Sequence, residues 1–123
     1  MHLDDHSCVL CSSGDEETLM HLFFYCSFSQ SCCATLGISW VLSLPPLHMI
    51  IQARQDFGRS IFREIIIVAS WCIWCHRNSI IFDNGSISLA RWKEEFRNEL
   101  ALVSLRARPV VKLSLDKWMS SSL

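Results

Sequence analysis

A mainly α-helical protein, in which a small Cys3His module packs with two longer amphipathic helices, is what the sequence predicts. Three observations carry that prediction. Cys8, Cys11, His21 and Cys26 cluster within nineteen residues. Apolar side chains recur at spacings of three and four over about 54–82 and again over 89–103, the period of one buried helical face. Pro45–Pro46 and the Asp83–Gly85 run break the chain between these segments.

A chain of 123 residues suits one domain, and a composition that is half apolar, with five Trp and seven Phe, argues against disorder throughout. Its expected organisation is a Cys/His module over 1–40, a helical extension packed on it over 41–108, and a C-terminal tail over 109–123. In the first segment Leu36, Ile38 and Trp40 supply apolar side chains after the cluster. Pro45 and Pro46 then restrict their own φ and bias the preceding residue away from helix, giving a helix–loop–helix pattern.

The second segment places Phe57, Ile61, Ile65, Val68 and Trp71 or Cys72 on one helical stripe, which Ile66, Ile67, Ile73 and Trp74 widen. Such a helix belongs at the centre of the fold. Because β-branched residues dominate 65–69, a strand is the alternative there; length favours helix. Asn84 or Gly85 can take the left-handed conformation that ends it. Ser86 or Ser88 can cap the third helix, along which Leu89, Trp92, Phe96, Leu100 and Val103 alternate with Lys93, Glu94, Arg97 and Asn98 on the opposite side. Pro109 stops this helix, and "KWMSSSL" reads as a loosely held tail.

Eleven basic and twelve acidic residues give a formal charge of −1, so no global field marks the chain as a binder of nucleic acid or of anionic membrane. Any such contact must be local. Seven cysteines is an odd number, and "MHLDDHSC" carries acidic residues where a secretory signal needs an apolar core. The thiols are therefore expected to be reduced and the protein intracellular, in nucleus or cytoplasm, where clustered Cys and His bind metal more often than they form disulfides. No charged residue occurs over 28–53, but Pro45 and Pro46 split that stretch. The apolar run over 65–75 is short, so both read as buried core and no membrane partner is expected.

Zinc binds thiolate and imidazole in a tetrahedron, and four protein ligands close a structural site. The two-residue gap between Cys8 and Cys11 lets one tight turn aim both sulfurs at a point, and Ser12, Ser13 and Gly14 offer a reversal toward His21 and Cys26. His21 and Cys26 are five apart, which on a regular α-helix would separate them by about 140°. A helix starting near Asp15 or Glu16 must therefore end, or be distorted, before Cys26. Glu17, one turn before His21, can accept the proton of the imidazole nitrogen facing away from the metal. Leu22, Phe23 and Phe24 would pack this arm into the core. Any one of these ligands taken alone would pass for a core residue; four together favour structural Zn2+. With every position filled, no activated water is available, so the chain is read as no enzyme and no small-molecule substrate is expected.

"CVLCSSGDEETLMHLFFYCSFSQ" also resembles the zinc-binding domain that follows the reverse transcriptase of plant LINE-type, non-LTR retrotransposons. Cys8, Cys11, Glu17, Thr18, His21, Leu22, Phe23, Cys26 and Phe28 match that pattern. Downstream, "SWCIWCHRNSIIF" is similar to a second stretch of the family through Trp71, Ile73, Trp74, Arg77, Asn78, Ile81 and Phe82. The likeness spans most of 3–105. It implies a retrotransposon-derived piece whose ancestral task was binding RNA or DNA beside a reverse transcriptase or another protein. The alternative is a zinc-stabilised protein-interaction or vestigial domain. Aromatic and basic residues exposed together, as in Trp92 with Lys93 or Trp74 with Arg77, would favour nucleic acid. Two departures stand out: Cys32 and Cys33 occupy the region where the family commonly has Trp, and the adjacent Asp4 and Asp5 lack the hydrophobic strands of a polymerase site.

Other signals are weaker. "CIWCH" at 72–76 has the spacing of haem attachment or of a redox pair, but haem attachment needs an oxidising compartment. Cys32, Cys33, Cys72, Cys75 and His76 could form a second metal site, and His2 or His6 could replace a ligand; buried thiols and solvated histidines are the simpler reading. Arg77, Arg91, Arg97, Arg106 and Arg108 could touch phosphate, yet solvated helix faces suit the balanced charge better.

Overall fold

A computed structural model describes residues 7–11 and 13–123; His2, Asp4, Asp5, His6 and Ser12 lie outside the described residues. The mainly helical class expected from sequence is the one observed. A π-helical turn at His21–Tyr25 is followed by α1 (Ser27–Thr35), α2 (Pro46–Phe57), α3 (Phe62–Phe82), α4 (Leu89–Arg106) and α5 (Pro109–Ser122). The only β pairing among the described residues is an isolated antiparallel bridge between Ser7 and Glu16.

Local chemistry sets the element ends. α1 closes on Gly37 at φ +80°, where the Gly37 N–H reaches the Ala34 carbonyl and the Ile38 N–H the Cys33 carbonyl. That is the two-bond Schellman arrangement, and it folds Ile38 back onto the core beside Cys33. Pro46 starts α2 at a position that has no N–H to lose, and Gly58 ends it at φ +70°. After α3 the left-handed residue is Asn84, at φ +53°. Of the two candidate caps for α4, Ser88 serves: its hydroxyl accepts from the Arg91 N–H at 3.1 Å.

α3 is the central helix. It packs chiefly on α4 and also on α1, burying Ile65, Ala69, Cys72 and Ile73. The strand alternative over 65–69 is thus decided for helix. By length and composition α3 could cross a membrane, since the apolar run lies within 21 helical residues. Its buried face nevertheless meets α4, whose Trp92, Phe96 and Leu100 are fully enclosed. The Trp92 and Phe96 rings stack 5.3 Å apart.

The expected tail is instead a docked helix. Leu115 and Trp118 of α5 are buried, with Trp118 against Phe57 and Phe96 at ring separations of 6.2 Å each. Pro109 both ends α4 and occupies the first turn of α5, where its missing N–H costs nothing. Asp116 accepts from the Ser104 hydroxyl at 2.6 Å, pinning α5 to α4.

His76, on the enclosed side of α3, is a structural residue rather than a ligand. Its Nε2 accepts from the Ser88 N–H at 3.2 Å, and its ring stacks on Phe28 at 5.0 Å. The proton of the neutral ring must then sit on Nδ1, which is buried without a partner among the described residues. Burial, and then the Arg91 guanidinium 3.5 Å away, hold its pKa down at about 4 from the ordinary 6.5. The unfolded chain therefore binds a proton that the folded chain refuses. The resulting stability is complete above about pH 6.5 and is lost as pH falls to 4, a change of about 3 kcal/mol. Urea titrations at pH 7 and pH 4.5 should show this loss in excess of that of a His76→Gln variant, which shares every other titrating group. Equal pH slopes would refute the assignment.

Candidate metal centre

Cys8 enters on a short ribbon, in which the Ser7–Glu16 bridge and the Cys8 N–H to Asp15 carbonyl bond of 2.9 Å hold the two sides together. Gly14, at φ +78°, makes the reversal. The chain then turns helical at Leu19, later than the Asp15 or Glu16 start expected from sequence. The reason is Thr18: its hydroxyl accepts from the His21 N–H at 3.0 Å, which makes it the N-cap.

The five-residue spacing of His21 and Cys26 is resolved by the π turn. The Cys26 N–H reaches the His21 carbonyl at 2.6 Å, an i→i+5 closure that widens the turn by one residue. Two side chains that would diverge on an α-helix are thereby brought to the same side. Cys26 itself is extended, at φ −66° and ψ 128°, and α1 starts at the next residue. The distortion expected before Cys26 is thus present, in this particular form.

All four side chains converge: the three Sγ atoms and one imidazole nitrogen lie within 4.8 Å of one another. Cys8 Sγ and Cys26 Sγ are 3.8 Å apart, and Cys11 Sγ is 3.3 Å from His21 Nε2. Sulfurs about 2.3 Å from a common tetrahedral centre stand about 3.8 Å apart, so the first pair already has the edge length of a metal site. The second pair is slightly tighter. Cys8, Cys26 and His21 are buried and Cys11 is half-buried, so this cluster could hold a metal ion with little solvent around it. Among the described residues it is the one group of three or more such donors that converges.

The thiols are not equivalent. Burial pushes Cys8 up to about 12, with the neighbouring Cys26 and Cys11 adding to the rise. At Cys11 burial acts the same way but is outweighed by bonds from Ser13, whose hydroxyl is 3.1 Å from the sulfur, and from His21, which bring it down to about 6. Cys11 is therefore more readily a thiolate than Cys8. Cys72 and Cys75 differ: burial first, then Glu99, raises both, Cys72 to about 12. Raised thiols do not suit a redox pair. Cys32 and Cys33 are raised by burial as well and belong to the core.

Glu17 does not take the role expected for it. Its Oε1 accepts from Arg77 Nε at 2.7 Å, while Oε2 is buried with no hydrogen-bond partner among the described residues. Both side chains are largely enclosed, 14% and 21% exposed, so the pair is far better shielded than a surface ion pair. Arg77 also lies over the Trp74 ring, 4.8 Å from its centroid, and donates to Asn78 Oδ1 at 2.8 Å. Helical spacing from His21 made the imidazole look like the natural partner of Glu17. A guanidinium from α3, sixty residues on, is a stronger donor and occupies it instead. The site is thereby anchored to the central helix through Arg77, which local spacing could not disclose.

Comparison with family models, with curated proteins and with solved structures returns no match to this chain.

Proposed function

We propose that this is a non-catalytic, intracellular zinc-binding domain of the kind that follows the reverse transcriptase in plant non-LTR retrotransposons, with nucleic acid as its ancestral ligand. The observation that carries the reading is the convergence of Cys8, Cys11, His21 and Cys26 within 4.8 Å. Three sulfurs and one imidazole in a compact set suit zinc over the harder cations, which prefer oxygen. With four protein ligands the ion has no open position for a water, so its role is structural. The retrotransposon reading gains support from the Glu17–Arg77 pair, because it ties together one residue from each of the two stretches that carry the resemblance.

A second reading, a zinc-stabilised domain that contacts protein or is vestigial, is favoured by a different observation. Trp92 is fully buried, and Arg77 beside Trp74 is committed to Glu17, so neither pair forms an open stacking platform for bases. Nucleic-acid binding must then rest on phosphate contacts elsewhere. The readings separate on anisotropy of a labelled single-stranded RNA with zinc-loaded protein between about 50 and 200 mM salt, with Cys26→Ser as control. Binding that weakens steeply with salt and is lost in the variant supports the first; no binding at the lowest salt leaves the second.

A further inference from the structure

The five arginines that could touch phosphate fall into two groups. Arg77 is held by Glu17; Arg91 is spent on Glu95, Ser79 and the Ser86 carbonyl; Arg97 reaches the Leu123 carbonyl and Glu94. Arg106 and Arg108 make no ion pair or side-chain hydrogen bond among the described residues. Arg63, in the first turn of α3, makes none either. These three exposed guanidinium groups line one open groove of about 700 Å³, at the corner where α4 passes into α5 and faces the start of α3. Val103 and Val111 form part of its floor.

We propose that this groove, with Arg63, Arg106 and Arg108, is where the protein holds the phosphodiester backbone of nucleic acid. The proposal rests on the nucleic-acid reading above and gives it a location. Uncommitted arginines are costly to gather without a counter-charge, and a guanidinium fork matches two phosphate oxygens at once. Two helices, α3 and α5, begin at the groove with no side-chain cap among the described residues, while α4 ends there at Arg106, so the positive ends of two helix dipoles meet the negative end of one and the arginine side chains set the sign of the field. Glu64 is the one acidic residue in the lining, and its buried Oε2 has no hydrogen-bond partner among the described residues. Against three arginines its single carboxylate leaves the groove net positive. The aliphatic floor offers contact to sugar and base faces without reading sequence. Acidic peptides share the charge but not the closely spaced tetrahedral oxyanions that three forks can each grip.

The test compares zinc-loaded wild type with an Arg63→Gln/Arg106→Gln/Arg108→Gln variant and with a Lys93→Gln/Arg97→Gln/Lys117→Gln variant of the same net charge, whose sites lie outside the groove. The probes are a labelled 12-nucleotide oligouridine and a labelled polyglutamate peptide. Equal melting temperatures and zinc content show that the folds are intact. The groove variant should bind oligouridine at least tenfold more weakly at about 100 mM salt. Its slope of log affinity against log salt should be shallower by about 2, while the charge-matched variant stays near wild type. If wild type binds oligouridine and the groove variant binds it equally well, the location is wrong and the nucleic-acid reading stands. If wild type binds none, both fall. Polyglutamate bound as tightly as oligouridine, with the same dependence on the three arginines, would overturn the proposal in favour of an acidic protein partner.

Discussion

Replacing Cys26 with serine should remove the response of folding to zinc and cost most of the stability of the N-terminal module. Structural zinc sites contribute on the order of 10 kcal/mol to folding, comparable with the whole 5–15 kcal/mol of a typical domain. Cys26 is the ligand on which the local fold turns, because its N–H closes the π turn, its sulfur is 3.8 Å from Cys8, and α1 starts immediately after it. Serine keeps the size but offers a hydroxyl that stays protonated where a thiolate is required. Without the ion, three thiols and an imidazole are left crowded in a buried pocket, where like charges repel if the sulfurs ionise and nothing rewards their proximity if they do not. The wild-type protein should therefore melt at least 10 °C lower after chelation, and Cys26→Ser should melt at the same temperature with and without zinc. Cys75→Ser, outside the cluster and half-exposed, should keep the full zinc response. Coincident wild-type melts with and without chelator would remove the metal reading.

What the sequence could disclose depended on how far apart the cooperating residues lie. The period of α3 and α4 was legible because both bury a stripe against neighbours, and Ile65, Trp92, Phe96 and Leu100 sit on those stripes as spaced. The four candidate ligands were legible from residue type and spacing. The same arithmetic that set His21 and Cys26 about 140° apart correctly demanded a distortion, but only the fold chose a π turn as its form. The partner of Glu17 was beyond such reasoning. Spacing of four from His21 is a local signal, whereas Arg77 approaches through the packing of α3 against the module, a contact between residues sixty positions apart. The two unpaired arginines at the α4–α5 corner were visible as basic residues. Their union with Arg63 in one groove needed the tertiary arrangement.

The segment over 109–123 shows the opposite failure, since its signal was present and outweighed. Pro109 reads as a stop and the closing serines as a loose end. Yet Val111, Leu115 and Trp118 recur at four and three, and Lys112 pairs with Asp116 one turn on at 3.1 Å. The structure buries Leu115 completely and leaves Trp118 2% exposed. Trp118→Ala should therefore cost about 3–5 kcal/mol, the range for deleting a large core aromatic, because Phe57 and Phe96 face a void that a helix pinned by Ser104 and Asp116 cannot readily collapse to fill. A side chain on a frayed tail would cost no more than about 0.5 kcal/mol. Urea unfolding followed by circular dichroism separates the two, with the midpoint falling and the slope unchanged if α5 stays docked in the variant. Trp118→Phe, which keeps a ring between Phe57 and Phe96, should recover more than half of the loss. A cost below about 1 kcal/mol for the alanine variant would mean that α5 contributes little to the core and that the helix ending at Arg106 is the last element that matters to stability.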